Sequence, residues 1–304
     1  MAIVEDPITA LKPSSSTDRT AKLKYVASYL ALYAATLALL VRYEHFQILE
    51  PLLILLVVGG AFTLIAWLLT RPAEPLLVAE PRAGVFWYLL VVAAFATWGL
   101  GAITASQPLR DVVVLLAKVT IFVAIPWLIF DRKSVPLRFN RRDVFIALGM
   151  SSVLLVFQFF FGRGAHEIAN AHLPPAGLAS AFVFGFIWLC VEAGLVEEYF
   201  FRRLVQTRLE SLTRSRPGGI VLASLLFGLV HAPGLYLRTS HTGEALGNSP
   251  SLLLAVGYAI VVVSPTGFFL GTLWSRTRNL AIVVVVHAMG DLLPNVVDLA
   301  RHFS

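Results

Sequence analysis

The sequence has few charged residues and a single cysteine. Charged side chains make up 14% of its 304 residues, against roughly 25% in soluble domains, so an ordinary soluble fold is excluded. Cys190 stands alone in an apolar stretch, which excludes a disulfide framework, and we interpret it as a small buried hydrophobe. No cleavable signal peptide is predicted, because the polar first 24 residues precede an apolar run long enough to span a membrane.

Three signatures of intramembrane proteases are also missing. His166–Asn170 reads H-E-I-A-N and lacks the second histidine of the zinc-binding H-E-x-x-H helix. Gly149–Ser152 reads G-M-S-S and lacks the final glycine expected around a rhomboid-type serine. Ala288 stands where the G-x-G-D motif of presenilin-like aspartyl proteases needs glycine. Zinc-helix, rhomboid-type and presenilin-like mechanisms are therefore not predicted.

Apolar residues are abundant and spread along the whole chain. They make up 58% of it, and the mean hydropathy is +0.78. Because about 20 apolar residues in a helix cross a hydrocarbon core of roughly 30 Å, the sequence predicts an all-α polytopic membrane helix bundle of about eight or nine transmembrane helices. The segments that qualify or nearly qualify are 25–41, 51–69, 84–105, 112–130, 143–161, 176–200, 218–235, 251–274 and 279–297.

The distribution of positive charge predicts the orientation of these helices. Most of the 24 Lys and Arg residues fall in alternate loops, on the same side as the N-terminus, which places that side in the cytoplasm. Basic loops beside anionic lipid account for the net charge of +6, so no nucleic-acid partner is predicted. We divide one integral domain into a cytoplasmic tail (1–24), N-terminal scaffold helices (25–161) and a catalytic core (176–297).

The first polar motif, E-E-Y-F-F-R, lies in a run that otherwise resembles a membrane span. Ionisable groups at membrane depth indicate a functional site. Glu198 and Arg202 are four residues apart and share a helix face, so they can pair, whereas Glu197 is rotated by about 100° and left to point elsewhere. A carboxylate with water nearby suits a general base. The alternative is a cytoplasmic helix end with surface charges, and Glu192, deeper in the span, weakens it.

Two further polar motifs follow in later apolar segments. The first is F-G-L-V-H, from Phe227 to His231, and the second is H-A-M-G-D, from His287 to Asp291. Asn295 continues the second motif at a spacing of four, which places three polar side chains on one stripe. The alternatives are a satisfied structural histidine for the first motif and a polar helix-binding seam for the second.

Together these groups could hydrolyse an amide bond. Glu197 would take a proton from water, and His231 would hold that water or share its proton. His287 and Asp291 would face the oxyanion as it develops, where each well-placed donor contributes on the order of 3 kcal/mol. No serine or cysteine nucleophile is needed.

The three motifs resemble those of the CPBP family, which includes the type II CaaX prenyl endopeptidases and bacterial bacteriocin-processing or self-immunity proteins. The motifs are E-E-x-x-x-R at Glu197, F-x-x-x-H at Phe227 and H-x-x-x-[N/D] at His287. The resemblance implies a glutamate-dependent intramembrane endopeptidase that opens toward the cytoplasm. It implies Glu197 and His231 as water activators, and His287 with the last motif position as oxyanion stabilisers.

One position departs from the family pattern. Prenyl-processing members typically carry Asn where this chain has Asp291, and an ionised aspartate would repel an oxyanion. Asp291 is therefore protonated, or it orients His287, or Asn295 takes the donor role. The family has been treated as metal-dependent, and two glutamates with two histidines could bind zinc, but we favour a site without a cofactor.

Other functions and several substrates are compatible with the sequence. A non-catalytic immunity or scaffolding protein would keep the fold, and a proton-coupled transporter would use Glu and His as relays, although no inverted repeat is found. The expected partners are the lipid bilayer and a membrane-anchored protein or peptide with a prenylated end, a leader or a C-terminal sorting anchor. Phe227 and Asn295 are expected to contact the substrate. The low lysine content favours a bacterial inner membrane.

Overall fold

The structure is a computed structural model that describes residues 15–74, 84–99, 103, 109–132, 140–237, 246 and 250–303. The described residues form helices joined by short connections and contain no β-strand. The helices are α1 (Ser15–Glu44), α2 (Leu49–Leu69), α3 (Gly84–Gly99), α4 (Leu109–Phe130), α5 (Arg141–Phe161), α6 (Arg163–Asn170), α7 (Pro175–Thr213), α8 (Arg216–Leu237), α9 (Leu252–Thr277) and α10 (Leu280–Phe303).

Eight of the described helices are long and apolar enough to cross a membrane. They are α1, α2, α4, α5 and α7 to α10, and α3 is a shorter apolar helix. This confirms the predicted all-α polytopic membrane fold. Residues 100–102, 104 and 105 of the predicted span 84–105, and residues 1–14 of the predicted tail, lie outside the described residues. The cytoplasmic position of the N-terminus stays a prediction.

Several helices begin and end at residues that satisfy free backbone groups. The Asn140 side chain accepts a hydrogen bond from the Asp143 amide at the start of α5, and Ser251 does the same for Leu254 at the start of α9, each at 2.9 Å. α7 and α9 both end at a left-handed arginine, Arg214 at φ 50° and Arg278 at φ 49°.

Helix α7 is π-helical on both sides of the paired glutamates. The π-helical turns are Cys190–Leu195 and Tyr199–Gln206, and the α-helical turn Val196–Glu198 lies between them. Hydrogen bonds from residue i to i+5 change which side chains share a face, and such turns often occur at functional sites. The paired glutamates therefore lie at a local change of helical geometry.

Helix α10 lies at the centre of the bundle. Within the protein, 67% of the most apolar 18-residue stretch of α10 is buried, compared with 11% to 44% of the corresponding stretches in the other spans. It packs against α5, α7 and α9. A Cβ atom on Gly194 of α7 would lie only 2.8 Å from the carbonyl oxygen of Val284, so glycine allows α7 and α10 to approach closely.

Candidate active site

Helices α7 and α8 are antiparallel, and Glu197 and His231 lie at similar distances from the connection between them. Glu197 lies sixteen residues before the end of α7, and His231 lies fifteen residues after the start of α8. At 1.5 Å per residue these positions are about 24 Å and about 22 Å from the connection between the helices. His287 reaches the same place from α10.

Glu198, Arg202 and His287 form a buried polar triad. Arg202 Nε donates to Glu198 Oε2 at 2.7 Å, and Arg202 Nη2 lies 3.4 Å from Oε1. Glu198 Oε1 also lies 2.8 Å from His287 Nδ1. Because an ionised carboxylate only accepts hydrogen bonds, Nδ1 carries a proton, and Nε2 faces the rest of the site. Glu198 thereby fixes the orientation of the His287 ring.

Phe227 packs against all three cationic or imidazole groups. The Arg202 guanidinium carbon lies 4.7 Å from the centroid of the Phe227 ring, a cation–π distance. The ring centroid lies 5.0 Å from that of His231 and 6.2 Å from that of His287. Phe227 itself is buried, so the structure places it as packing beneath the polar groups.

The carboxylate of Glu197 lies between the two imidazoles. Its Oε2 atom is 4.0 Å from His231 Nε2 and 3.9 Å from His287 Nε2. The Glu197 and His231 side chains are 21% and 30% exposed, whereas Glu198 is fully buried. These separations exceed a direct hydrogen bond and suit groups bridged by a small molecule such as water. The paired glutamates thus occupy different environments, because Glu197 is partly exposed and Glu198 is buried.

His231 is held by the turn that precedes it. Its Nδ1 atom lies 2.7 Å from the backbone carbonyl oxygen of Phe227, four residues earlier. A carbonyl oxygen only accepts, so Nδ1 is the protonated nitrogen. In the neutral ring, Nε2 then presents its lone pair toward Glu197.

Asp291 and Asn295 lie on the outer side of His287. Asp291 Oδ2 is 3.3 Å from His287 Nε2, and its side chain is partly exposed. The side-chain amide of Asn295 donates to the backbone carbonyl of Asp291 at 2.7 Å. Asp291 therefore contacts the imidazole directly, whereas the amide group of Asn295 is engaged within its own helix.

The motif resemblance is matched by a family model over the core of the chain. Residues 179–293 match the model described as Type II CAAX prenyl endopeptidase Rce1-like. This region is similar to the Rce1-like family. The match confirms the predicted resemblance to the CPBP family and includes Glu197, His231, His287 and Asp291. No curated protein and no solved structure is significantly similar to the chain.

The Rce1-like match supports a protease, and the eight apolar helices support an integral multi-pass membrane protein in contact with lipid. The description of the family also points to a membrane-associated substrate. The matched region begins and ends inside the predicted catalytic core, 176–297, and leaves the first five predicted spans outside it.

The polar groups of the Rce1-like region do not fit a metal ion as they stand. Among the residues that the structure describes, no group of three or more His, Cys, Asp or Glu side chains has the spacing of a metal site. The Glu197 carboxylate is also 3.9 Å and 4.0 Å from the two imidazole nitrogens, wide for ligands that each lie about 2.0–2.2 Å from one tetrahedral zinc ion.

Two contacts near the site were missed from the sequence. Lys118 of α4 contacts Glu192 of α7 through Nζ and Oε1; the signal was a lysine inside an apolar span. Gln158 of α5 donates to the backbone carbonyl of Gly290, and nothing in the sequence pairs these two positions. Both contacts bring helices of the predicted scaffold half to the catalytic core.

A cavity of about 150 Å³ lies on the side of His287 that faces α2, α5 and α9. Its polar lining includes Gln158, Thr266 and Asp291, and its remaining walls are mostly apolar. The Gln158 Oε1 atom is buried without a hydrogen-bond partner among the described residues. The candidate site thus has an apolar recess beside the imidazole.

Proposed function

We propose that this protein is a glutamate-dependent intramembrane endopeptidase. The observation that carries the proposal is the position of the Glu197 carboxylate between the Nε2 atoms of His231 and His287, at 4.0 Å and 3.9 Å. The endopeptidase description of the matched family supports the same chemistry. A partly exposed carboxylate that serves as the base, together with two imidazoles, is sufficient to activate water.

Glu197 and His231 activate the water molecule. The water binds between the Glu197 carboxylate and the lone pair on His231 Nε2, which the Phe227 carbonyl directs toward it. Glu197 removes one proton as the water oxygen attacks the scissile carbonyl carbon. The same proton then passes to the leaving amine nitrogen as the C–N bond breaks, so the products are a carboxylate and an amine.

His287 stabilises the tetrahedral oxyanion from the other side. Glu198 and Arg202 hold its ring through Nδ1, and in the imidazolium form, which is protonated on both nitrogens, Nε2–H donates to the oxyanion. A preorganised donor of this kind contributes on the order of 3 kcal/mol. Asp291 contacts His287 Nε2 at 3.3 Å and orients the ring before substrate binds. Asn295 supports the backbone beneath Asp291.

The substrate is a membrane-anchored protein or peptide. The family description names CAAX prenyl endopeptidases, so a prenylated C-terminal peptide is the first substrate class to test, ahead of leaders and sorting anchors. The site lies within the span Pro175–Thr213, so substrate reaches it from within or beside the bilayer. We place the protein in a bacterial inner membrane with the site open to the cytoplasm.

The test uses the purified full-length protein in liposomes. A farnesylated peptide with a C-terminal CaaX sequence and its unprenylated twin are incubated with wild type and with Glu197→Gln in ¹⁸O-labelled water. Mass spectrometry then identifies the new termini. We expect wild type to cleave the prenylated peptide with one ¹⁸O atom in the new carboxylate, and Glu197→Gln to bind the peptide without cleaving it.

Two outcomes would overturn the proposal in different ways. Cleavage at an unchanged rate by Glu197→Gln would remove the glutamate mechanism. No cleavage of prenylated peptides, together with no new termini in membrane proteomes that depend on Glu197, would favour a non-catalytic immunity or scaffolding protein.

A further inference from the structure

One charged pair joins the scaffold half of the chain to the catalytic helix. Lys118 of α4 contacts Glu192 of α7, and the two side chains are 19% and 21% exposed. Both residues lie in helices that can cross a membrane. A pair removed from water loses much of its attraction to desolvation. Stability alone therefore gives a poor reason for placing two charges here.

The π-helical turn brings Glu192 toward the side of the helix that carries Glu197. The two residues are five apart, and in an α-helix that spacing separates side chains by about 140°. In the π-helical turn Cys190–Leu195, backbone hydrogen bonds join residues i and i+5 instead of i and i+4. Residues five apart therefore lie more nearly on one face of the helix.

Lys118 is therefore an ammonium group that acts on two carboxylates. It contacts Glu192 directly, and it also interacts electrostatically with Glu197. His231, His287 and Asp291 also act electrostatically on Glu197. Lys118 is the only one of these four that the scaffold half supplies. A direct contact between Lys118 and Glu197 would occupy the carboxylate that the proposed mechanism needs free.

We infer that Glu192 is a positioning residue that holds Lys118 and thereby keeps Glu197 available to water. This inference rests on the proposed function. Glu192 acts through Lys118 and touches no reacting atom. Its role is to give the ammonium group a partner other than the base, so that the pair as a whole presents no net charge to Glu197.

This arrangement predicts a particular pattern of rescue. Without Glu192, Lys118 is left to pair with Glu197 and to block the base. Without Lys118, the Glu192 carboxylate is uncompensated beside Glu197, and the two carboxylates repel each other. When both charges are removed, neither effect remains. The double variant is therefore expected to be more active than either single variant.

The experiment measures kcat and KM for the farnesylated peptide with full-length protein in liposomes. The variants are Glu192→Gln, Lys118→Met, their combination, and Lys118→Arg as the control that keeps the charge. We expect each single neutral variant to lower kcat by at least about tenfold with little change in KM, since neighbouring charges couple at this scale. The double variant should recover to within about threefold of wild type, and Lys118→Arg should stay near wild type.

Thermal unfolding in detergent separates positioning from folding. A purely structural pair would lower the melting temperature of the single variants in proportion to their loss of kcat. Positioning predicts a loss of kcat in protein that still melts near the wild-type temperature. If Glu192→Gln does not fold, Glu192→Ala, which also removes the charge, replaces it, and its loss of kcat should again be rescued by Lys118→Met.

The inference is overturned if the single variants keep wild-type kcat, or if the double variant is as impaired as Glu192→Gln. Either result, obtained while Glu197→Gln is inactive, leaves the proposed protease function in place. Full activity of Glu197→Gln would instead remove the proposed function itself, so the two failures are distinguishable.

Discussion

Arg202 and Glu198 form an ion pair in which neither side chain is exposed to solvent, with 2.7 Å between Nε and Oε2. The same carboxylate lies 2.8 Å from His287 Nδ1. The Arg202 guanidinium lies over the Phe227 ring, which compensates in part for an Nη1 atom that has no hydrogen-bond partner among the described residues. One arginine thus supports both the stability of α7 and the orientation of an imidazole.

Replacement of this arginine should destabilise the protein. Arg202→Met leaves Glu198 as a buried carboxylate without its cation, and breaking such a pair costs about 3–5 kcal/mol. Thermal unfolding in detergent should therefore show a lower melting temperature. The matched control is Arg301→Met, which breaks the exposed pair with Asp298, where the side chains are 63% and 78% exposed, and should change little. Equal effects of the two substitutions would contradict the buried triad.

Loss of His231 should lower activity without the same loss of stability. His231→Ala removes the Nε2 lone pair that faces Glu197, and general acid–base groups contribute about 10²–10⁴-fold to rate. We expect kcat for the farnesylated peptide to fall within that range. The control is His166→Ala in α6, an exposed histidine outside the site. Wild-type kcat in His231→Ala would exclude it from water activation.

Most of the fold could be predicted from apolar runs, but the end of α7 could not. The apolar segment 176–200 predicts a span that ends before Arg203 and Arg208, whose charges would then lie in water, whereas α7 continues to Thr213. Arg203 instead forms two hydrogen bonds with Asp131, and Arg208 donates to the carbonyl of Phe130. Their partners lie more than seventy residues earlier in the chain. Local sequence therefore contains no sign that these charges are satisfied inside the bundle.

In the candidate site, contacts within one helix could likewise be predicted from the sequence, whereas contacts between helices could not. Spacing within one helix was sufficient to predict that Glu198 and Arg202 can pair. Glu198 and His287 are 89 residues apart in the sequence, and their contact depends on how α7 and α10 pack. Glu192, the partner of Lys118, lies in a π-helical turn. Helical periodicity assumes 3.6 residues per turn, so it cannot reveal such a turn.

Two glycines near the site should respond in opposite ways to alanine. A Cβ atom on Gly290 would meet nothing within 4 Å, whereas one on Gly228 would collide with the backbone oxygen of Ala259. Gly290→Ala should stabilise α10 by about 0.5–1 kcal/mol, because glycine is unfavourable inside a helix. Gly228→Ala should destabilise the protein by about 1–3 kcal/mol through overpacking. Thermal unfolding measures both, and a stabilising Gly228→Ala would contradict the close contact of α8 and α9.

Removal of metal ions should leave cleavage intact. The side chains of the site lack the spacing of a metal centre among the described residues, and Glu197 with two imidazoles can activate water directly. We expect the same kcat for the farnesylated peptide before and after treatment with EDTA or 1,10-phenanthroline. A zinc protease treated in parallel shows that the chelators are effective. Loss of activity that returns on addition of zinc would contradict a cofactor-free site.

The orientation of the bundle can be tested because the chain has one cysteine. A Cys190→Ala protein offers a background in which new cysteines report their side of the membrane. Gln47, in the connection between α1 and α2, and Glu74, after α2, are both exposed. Because most basic residues share the predicted side of the N-terminus, we expect Gln47→Cys to react with an impermeant maleimide in intact spheroplasts and Glu74→Cys only after lysis. The reverse pattern would place the N-terminus outside.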